Sequence, residues 1–320
     1  MLQYLITLLD DTATSFCYYN NCKIEKRLIS LDNLKKGILF AMKQNLTLQF
    51  VYPDYEIPNE YKEAIETIDH VKIMPSCLEN STSAGVLVCN SFKDFSTELV
   101  EKNKDKIFVL RMRGCDMKHN IPSLQSVNRL NIIITDIETF NNNDLDNYKT
   151  WLSKLNSHLK EIYLKGTTPQ INLLTDRIVL NKMNNCNAGI QNITLAPNGK
   201  FYVCPAFYFE DEQDNCGCLE TGLEIKNRQL YKLEYAPLCR KCDAFQCKRC
   251  VWLNRKTTLE VNTPSHEQCV VSHLERNTSK ELLNTLKPKG YFPDEEILAV
   301  DYLDPFEGVQ KVSKTQNLGL

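Results

Sequence analysis

Nine of the fourteen cysteines in this 320-residue chain lie between Cys186 and Cys269, and no other feature limits the possible folds as much. The densest stretch, CRKCDAFQCKRC, holds Cys239, Cys242, Cys247 and Cys250 within a dozen residues. The other five, Cys17, Cys22, Cys77, Cys89 and Cys115, are scattered. In a reducing compartment such a density is not a disulfide framework, so the segregation points to a site rather than to general stapling. A C-x2-C pair lets two thiolates converge on one centre while the backbone N–H groups between them face the sulfurs. Two such pairs, with the more distant cysteines, supply one or two four-coordinate sites of a kind that zinc and iron–sulfur clusters both accept.

The rest of the composition narrows the setting. The opening MLQYLITLLDD is apolar but lacks a basic leader and meets Asp10 and Asp11 at once. It reads as a buried first strand rather than a signal peptide. No apolar run is long enough to span a bilayer, so the expected location is the cytoplasm, with no membrane partner. The net charge of −2 gives no global electrostatic reason to expect nucleic acid or anionic lipid.

Up to about residue 175 short apolar runs alternate with amphipathic stretches. Strands are expected at Tyr4–Leu9, Leu46–Tyr52, Val71–Met74, Val86–Cys89, Ile107–Met112, Ile132–Thr135 and Ile171–Leu174. KIFVLRM and NIIIT are continuous apolar runs, as strands covered on both faces require. Between them Ser30 can cap a helix whose buried face would carry Leu34, Ile38 and Met42. Leu145–Tyr163 repeats apolar residues at helical spacing. Strands alternating with helices mean a parallel sheet, open or curled into a partial barrel. After about residue 183 the pattern changes: ITLAPNGKFYVCPAFYF reads as a hairpin turning at Pro-Asn-Gly, and an amphipathic helix is expected from Glu267 to Leu286. The last residues, ending KVSKTQNLGL, read as a loosely held tail.

The spacing Cys186-x12-Gly199-x4-Cys204, then C-x2-C-x4-C-x2-C from Cys239 to Cys250, then Cys269, resembles the SPASM domain of peptide- and protein-modifying radical S-adenosylmethionine enzymes. This ladder is one residue shorter than the usual one in two of its gaps, but all seven cysteines and the glycine stand in order. The resemblance implies two four-iron clusters, with zinc as the alternative. Cys186, Cys204 and Cys250 would hold the cluster nearer the core, and Cys239, Cys242, Cys247 and Cys269 the outer one. The family often takes a further inner ligand just before the first cysteine. DRIVLNKMNN holds none, so either Cys216 or Cys218 swings in or one iron keeps an open position. Arg240, Lys241, Lys248 and Arg249 lie between the ladder cysteines, where their charge would offset thiolate and sulfide. His266 and His273 flank Cys269, so Cys269 and His273 could instead be half of a zinc site.

A SPASM-like end implies a radical S-adenosylmethionine barrel in front of it, whose first strand leads into C-x3-C-x2-C. Here LLDDTATSFCYYNNC puts Asp10 and Thr14 at the first two positions and Cys17 at the third, followed by Tyr18 and Tyr19. Where the family has Gly-Gly-Glu-Pro, the second strand ends Val51-Tyr52-Pro53-Asp54. One thiolate cannot hold a four-iron cluster, so S-adenosylmethionine is not expected as a cofactor. The family of CXXX-repeat peptide maturases shows this arrangement, and the chain resembles it over nearly its whole length. The expected fold is therefore α/β: residues 1–182 form a degenerate, partial (β/α) barrel-like parallel sheet, 183–290 a cysteine-rich hairpin and helix domain, and 291–320 a tail.

The same resemblance implies a ribosomally made, cysteine-containing precursor peptide as partner, and with it a role in that peptide's maturation. Three readings stand: a modifying enzyme or enzyme subunit without its own radical-generating cluster, a non-catalytic scaffold that presents the peptide to a separate modifying enzyme, and a zinc-stabilised binding module. No P-loop or G-x-G-x-x-G offers other machinery. His70, His119 and His158 are unaccompanied, and Asp10, Asp11 and Asp54 read as turn and cap residues at the strand ends.

Overall fold

Leu5, Leu8, Leu48 and Phe50 are fully buried, because each sits on a parallel strand with neighbours on both sides. Removing each from water contributes about 1.5–3 kcal/mol. The computed structural model describes residues 1–78, 85–118, 121–300 and 302–306; His119 and the KVSKTQNLGL end lie outside them. In chain order the first elements are β1 (Tyr4–Leu8), α1 (Leu31–Gln44), β2 (Thr47–Val51), α2 (Asn59–Ile65), β3 (His70–Pro75), β4 (Val86–Cys89), α3 (Thr97–Lys102) and β5 (Ile107–Met112). Then come β6 (Arg129–Ile134), α4 (Asn142–Leu164), β7 (Gln170–Ile171) and α5 (Thr175–Val179). The cysteine-rich part holds β8 (Asn192–Leu195), β9 (Phe201–Tyr202), α6 (Pro205–Glu210), β10 (Gly217–Cys218), β11 (Gly222–Leu223), α7 (Val251–Thr258) and α8 (His266–Leu286).

These elements belong to two units, each built from two separate stretches of chain: Met1–Arg111 with Cys186–Lys232, and Met112–Asn185 with the chain from Leu233 onward. In the first unit the strands lie in the order β5-β4-β3-β2-β1-β8-β9. Every pairing in that sheet is parallel except the β8–β9 hairpin, and β10 and β11 form a separate antiparallel pair. The expected Pro-Asn-Gly turn closes that hairpin, with Gly199 at φ +76, a value that favours glycine. A Cβ at Gly199 would also come within 2.8 Å of the Asn33 side chain. Sequence periodicity does not reveal where the hairpin goes: β8 lies parallel beside β1 and extends its sheet.

Two expectations need correction. Ser30 caps α1 as expected, accepting from the Asn33 N–H at 3.1 Å, but Met42 is 58% exposed. The buried face is Leu34, Gly37, Ile38 and Ala41, and the missing side chain at Gly37 lets α1 approach Leu195 closely. Ile171–Leu174 is not a strand throughout, since β7 covers only Gln170–Ile171. The Asn172 side chain continues the pairing instead, accepting from the Ile132 N–H (2.8 Å) and donating to the Ile132 carbonyl (2.9 Å). The chain can then turn into α5.

In the second unit β6 and β7 pair in parallel, and α4 packs along α8. Tyr148, Leu152, Leu155, Leu159 and Ile162 form the buried stripe of α4, as its periodicity predicts. Helix α8 is different, because Gln268, Ser272, His273, Glu275, Arg276 and Ser279 are all buried with its apolar residues. Their polar groups find one another: Arg276 pairs with Asp243, and the Tyr148 hydroxyl donates to Glu275 at 2.6 Å. Among the described residues no helix is long and apolar enough to cross a membrane.

Candidate functional site

The ladder turns back on itself in the second unit. Cys239 opens a short 3-10 turn, Cys242 ends it, and Cys269 sits in the first turns of α8. Cys239, Cys242, Cys247 and Cys269 line one narrow cavity of about 20 Å3 with Arg249 and His273. Backbone donors point at the sulfurs: the Ala244 N–H reaches Cys242 Sγ and the Arg249 N–H reaches Cys247 Sγ, both at 3.4 Å. Arg249 has φ +42, a left-handed kink that folds the ladder around its sulfurs. Of the four interleaved cations only Arg249 is buried, at 3% exposure; Arg240 and Lys241 face solvent.

Burial dominates the electrostatics of these thiols. It pushes Cys239 up to about 12 and Cys242 up to about 11, with neighbouring thiolates adding to both, while Arg249 pulls Cys239 down. Cys269 is raised further, by burial and then by Cys247. Four thiols in this environment hold their protons at neutral pH until a cation or cluster replaces them. Among the described residues no three His, Cys, Asp or Glu side chains close on a single point as one metal ion requires.

The remaining sequence-derived residues are distributed as follows. Cys250 does not line that cavity; its Sγ caps α7, accepting from the Leu253 N–H at 3.4 Å. Cys204, in the first unit, precedes α6. Its thiol is raised by burial first and then by Cys186, with a smaller push from Cys17. Cys186 itself is exposed. Cys216 is buried and its thiol is pushed up to about 12, chiefly by desolvation. Cys218 Sγ accepts from the Thr221 N–H at 3.4 Å within the β10–β11 hairpin. His266 Nδ1 lies 2.7 Å from Asp304 Oδ2. His273 Nε2 lies 3.6 Å from Cys242 Sγ, a pairing that sequence spacing does not suggest.

A second feature lies in the first unit, at the C-terminal ends of its parallel strands, where α/β folds place their ligands. A cavity of about 860 Å3 opens there, lined among others by Thr14, Asn21, Asp54, Asn90 and Arg111. The loop after β1 is held by polar bonds. Asp10 accepts from the Thr12 N–H (2.8 Å) and the Tyr55 hydroxyl (2.9 Å), and Asn21 donates to the Asp11 and Ala13 carbonyls. Asp10 and Asp11 are buried; Asp10 is the turn residue expected, whereas Asp11 is an ion-pair partner rather than a cap, 2.7 Å from Arg27.

Arg111 braces this loop from below. Its Nε donates to the Cys17 carbonyl (3.0 Å), one terminal nitrogen to Asn90 Oδ1 (2.8 Å), and the other to the Tyr19 carbonyl and Asn20 Oδ1 (both 2.6 Å). The one signal for it in the sequence is a lone charge inside the apolar run KIFVLRM.

No family model matches this chain, and no curated protein does. Solved structures do. Hexahistidine-tagged anSMEcpe with bound AdoMet, an anaerobic sulfatase maturase of the radical S-adenosylmethionine/SPASM type, is 15% identical, with a TM-score of 0.60 over 94% of this chain and 97% of its own. Native anSMEcpe with bound AdoMet and the Cp18Cys peptide is 14% identical, with a TM-score of 0.57 over 90% and 98%. Streptococcus suis SuiB bound to the precursor peptide SuiA is 12% identical over 84% and 76%, with a TM-score of 0.47. At such identities the likeness to anSMEcpe is one of fold. The chain is thus an α/β structure that shares the fold of anSMEcpe along nearly its whole length.

Proposed function

We propose that this protein binds iron–sulfur clusters in its cysteine-rich part and acts, in the cytoplasm, in the maturation of a ribosomally made, cysteine-containing peptide. It does so without a radical-generating cluster of its own. The observation that carries the reading is the gathering of Cys239, Cys242, Cys247 and Cys269 around one cavity, while the loop after β1 offers only Cys17 and Cys22, at a spacing that is not C-x3-C-x2-C.

The donor set fits an iron–sulfur cluster. Four cysteine sulfurs with two inward N–H···S bonds and a buried Arg249 suit an anionic iron–sulfur group. We assign Cys239, Cys242, Cys247 and Cys269 to an outer cluster and Cys186, Cys204 and Cys250 to an inner one, with Cys216 or Cys218 as a further candidate. Residues 1–182 then serve as the barrel-like part and 183–290 as the cluster-bearing part. Such clusters, when bound, supply one-electron transfer or an iron that can take a substrate thiolate. The chain's own residues hold the thiolates in place, screen them from water and offset their charge.

Among the structures of similar fold, native anSMEcpe is seen with bound AdoMet and the Cp18Cys peptide. The corresponding partner proposed here is a peptide with regularly spaced cysteines. A second reading, a scaffold that presents such a peptide to a separate modifying enzyme, is favoured by the Arg111 brace, which fills with hydrogen bonds a loop that a cluster would otherwise organise.

Anaerobic purification followed by iron, sulfide and zinc analysis tests the core of the proposal. About eight irons per chain with matching sulfide are expected when both four-iron sites fill. Zinc alone, with no sulfide, would sink it. Reduction in the presence of S-adenosylmethionine is expected to release no 5′-deoxyadenosine.

A further inference from the structure

His273 is placed to act on one sulfur of the outer set. It is 1% exposed, lies two turns into α8, and shares a cavity with Cys239, Cys242, Cys247 and Cys269. Its Nε2 is 3.6 Å from Cys242 Sγ, its ring tilts against Tyr302 at 5.4 Å, and its Nδ1 has no hydrogen-bond partner. Those contacts decide where its proton sits. An imidazole carries at least one N–H. A proton on Nδ1 would be a buried donor with no acceptor, at a cost of about 1–3 kcal/mol. A proton on Nε2 has a sulfur in front of it. The bare Nδ1 then buries only a lone pair.

We propose that His273 is a positioning residue that donates its Nε2–H to the Cys242 thiolate and thereby favours the reduced form of the outer cluster. This rests on the iron–sulfur reading given above. Cys242 Sγ already receives the Ala244 N–H at 3.4 Å, so His273 gives it a second donor. Reduction adds negative charge that the cysteine sulfurs share, and an N–H aimed at one of them strengthens as that charge grows. Phenylalanine fills a similar space but offers no donor, whereas glutamine retains one on a flexible stem.

The test is a redox titration of anaerobically purified full-length protein with dithionite, read by electron paramagnetic resonance, for wild type, His273→Phe and His273→Gln. With iron content equal across the three, His273→Phe is expected to show about a fivefold lower ratio of reduced to oxidised outer cluster at a fixed potential. His273→Gln is expected to recover part of that loss. An unchanged ratio in His273→Phe with iron retained overturns the proposal and leaves the iron–sulfur reading intact. Loss of the outer iron in both variants overturns it too, because His273 would then be a ligand rather than a donor to one. Wild-type protein without iron or sulfide defeats the underlying reading itself.

Discussion

At the scale of single residues, the second unit keeps charge and polarity where an apolar side chain would be cheaper. Glu275 is the clearest case. It is 6% exposed, and its carboxyl is pushed up to about 7 because burial outweighs the hydrogen bonds from Tyr148 and Gln246. An acid whose folded value is raised holds its proton in the native state over a range where the unfolded chain has lost it. Its contribution is therefore fully present below about pH 4.5 and is lost as pH rises through about 7. The difference is on the order of 3 kcal/mol. Urea denaturation of metal-free protein at about pH 5 and about pH 8 is expected to show this loss, and Glu275→Gln is expected to flatten it. An equal slope in the variant would mean that another group is responsible.

At the scale of elements, the caps and turns carry the information that reaches from sequence to site. Helix α8 begins at a reciprocal cap, in which Ser265 Oγ accepts from the Gln268 N–H (3.3 Å) and Gln268 Oε1 accepts from the Ser265 N–H (3.0 Å). This fixes the turn that presents Cys269, and four residues later His273 on the same face. Ser265→Ala is expected to cost about 1 kcal/mol of stability, measured by denaturant midpoint, and to loosen the hold on Cys269. Helices α4 and α8 and the Pro-Asn-Gly hairpin were legible because each is set by contacts within a few residues. The short β7 was not, because Asn172 replaces a strand residue by bonding to Ile132. Nor was the exposure of Met42, since its helix turns the small Gly37 and Ala41 toward the sheet.

At the scale of the whole molecule, the proposed assignment divides the cysteines into two sets with separable effects. Cys242→Ser and Cys204→Ser are each expected to remove about half of the iron, and the double variant nearly all of it. If either single variant emptied both sites, the two sets would not be independent. Metal bound only by the folded chain adds to its stability, so chelation under reducing conditions is expected to lower the thermal midpoint of the wild type and not that of the double variant.

The sequence by itself determined the supply of donors, the order of strands and helices, and the presence of a cysteine-rich hairpin and helix. All of these follow from spacing, periodicity and turn chemistry acting over short stretches of chain. Only the tertiary structure decided which thiols share a cavity, that Cys250 caps a helix away from it, that His273 faces Cys242, and that Arg111 braces the loop after β1. Those meetings join residues up to about ninety positions apart. They depend on which large apolar surfaces are buried together, and no local pattern encodes that.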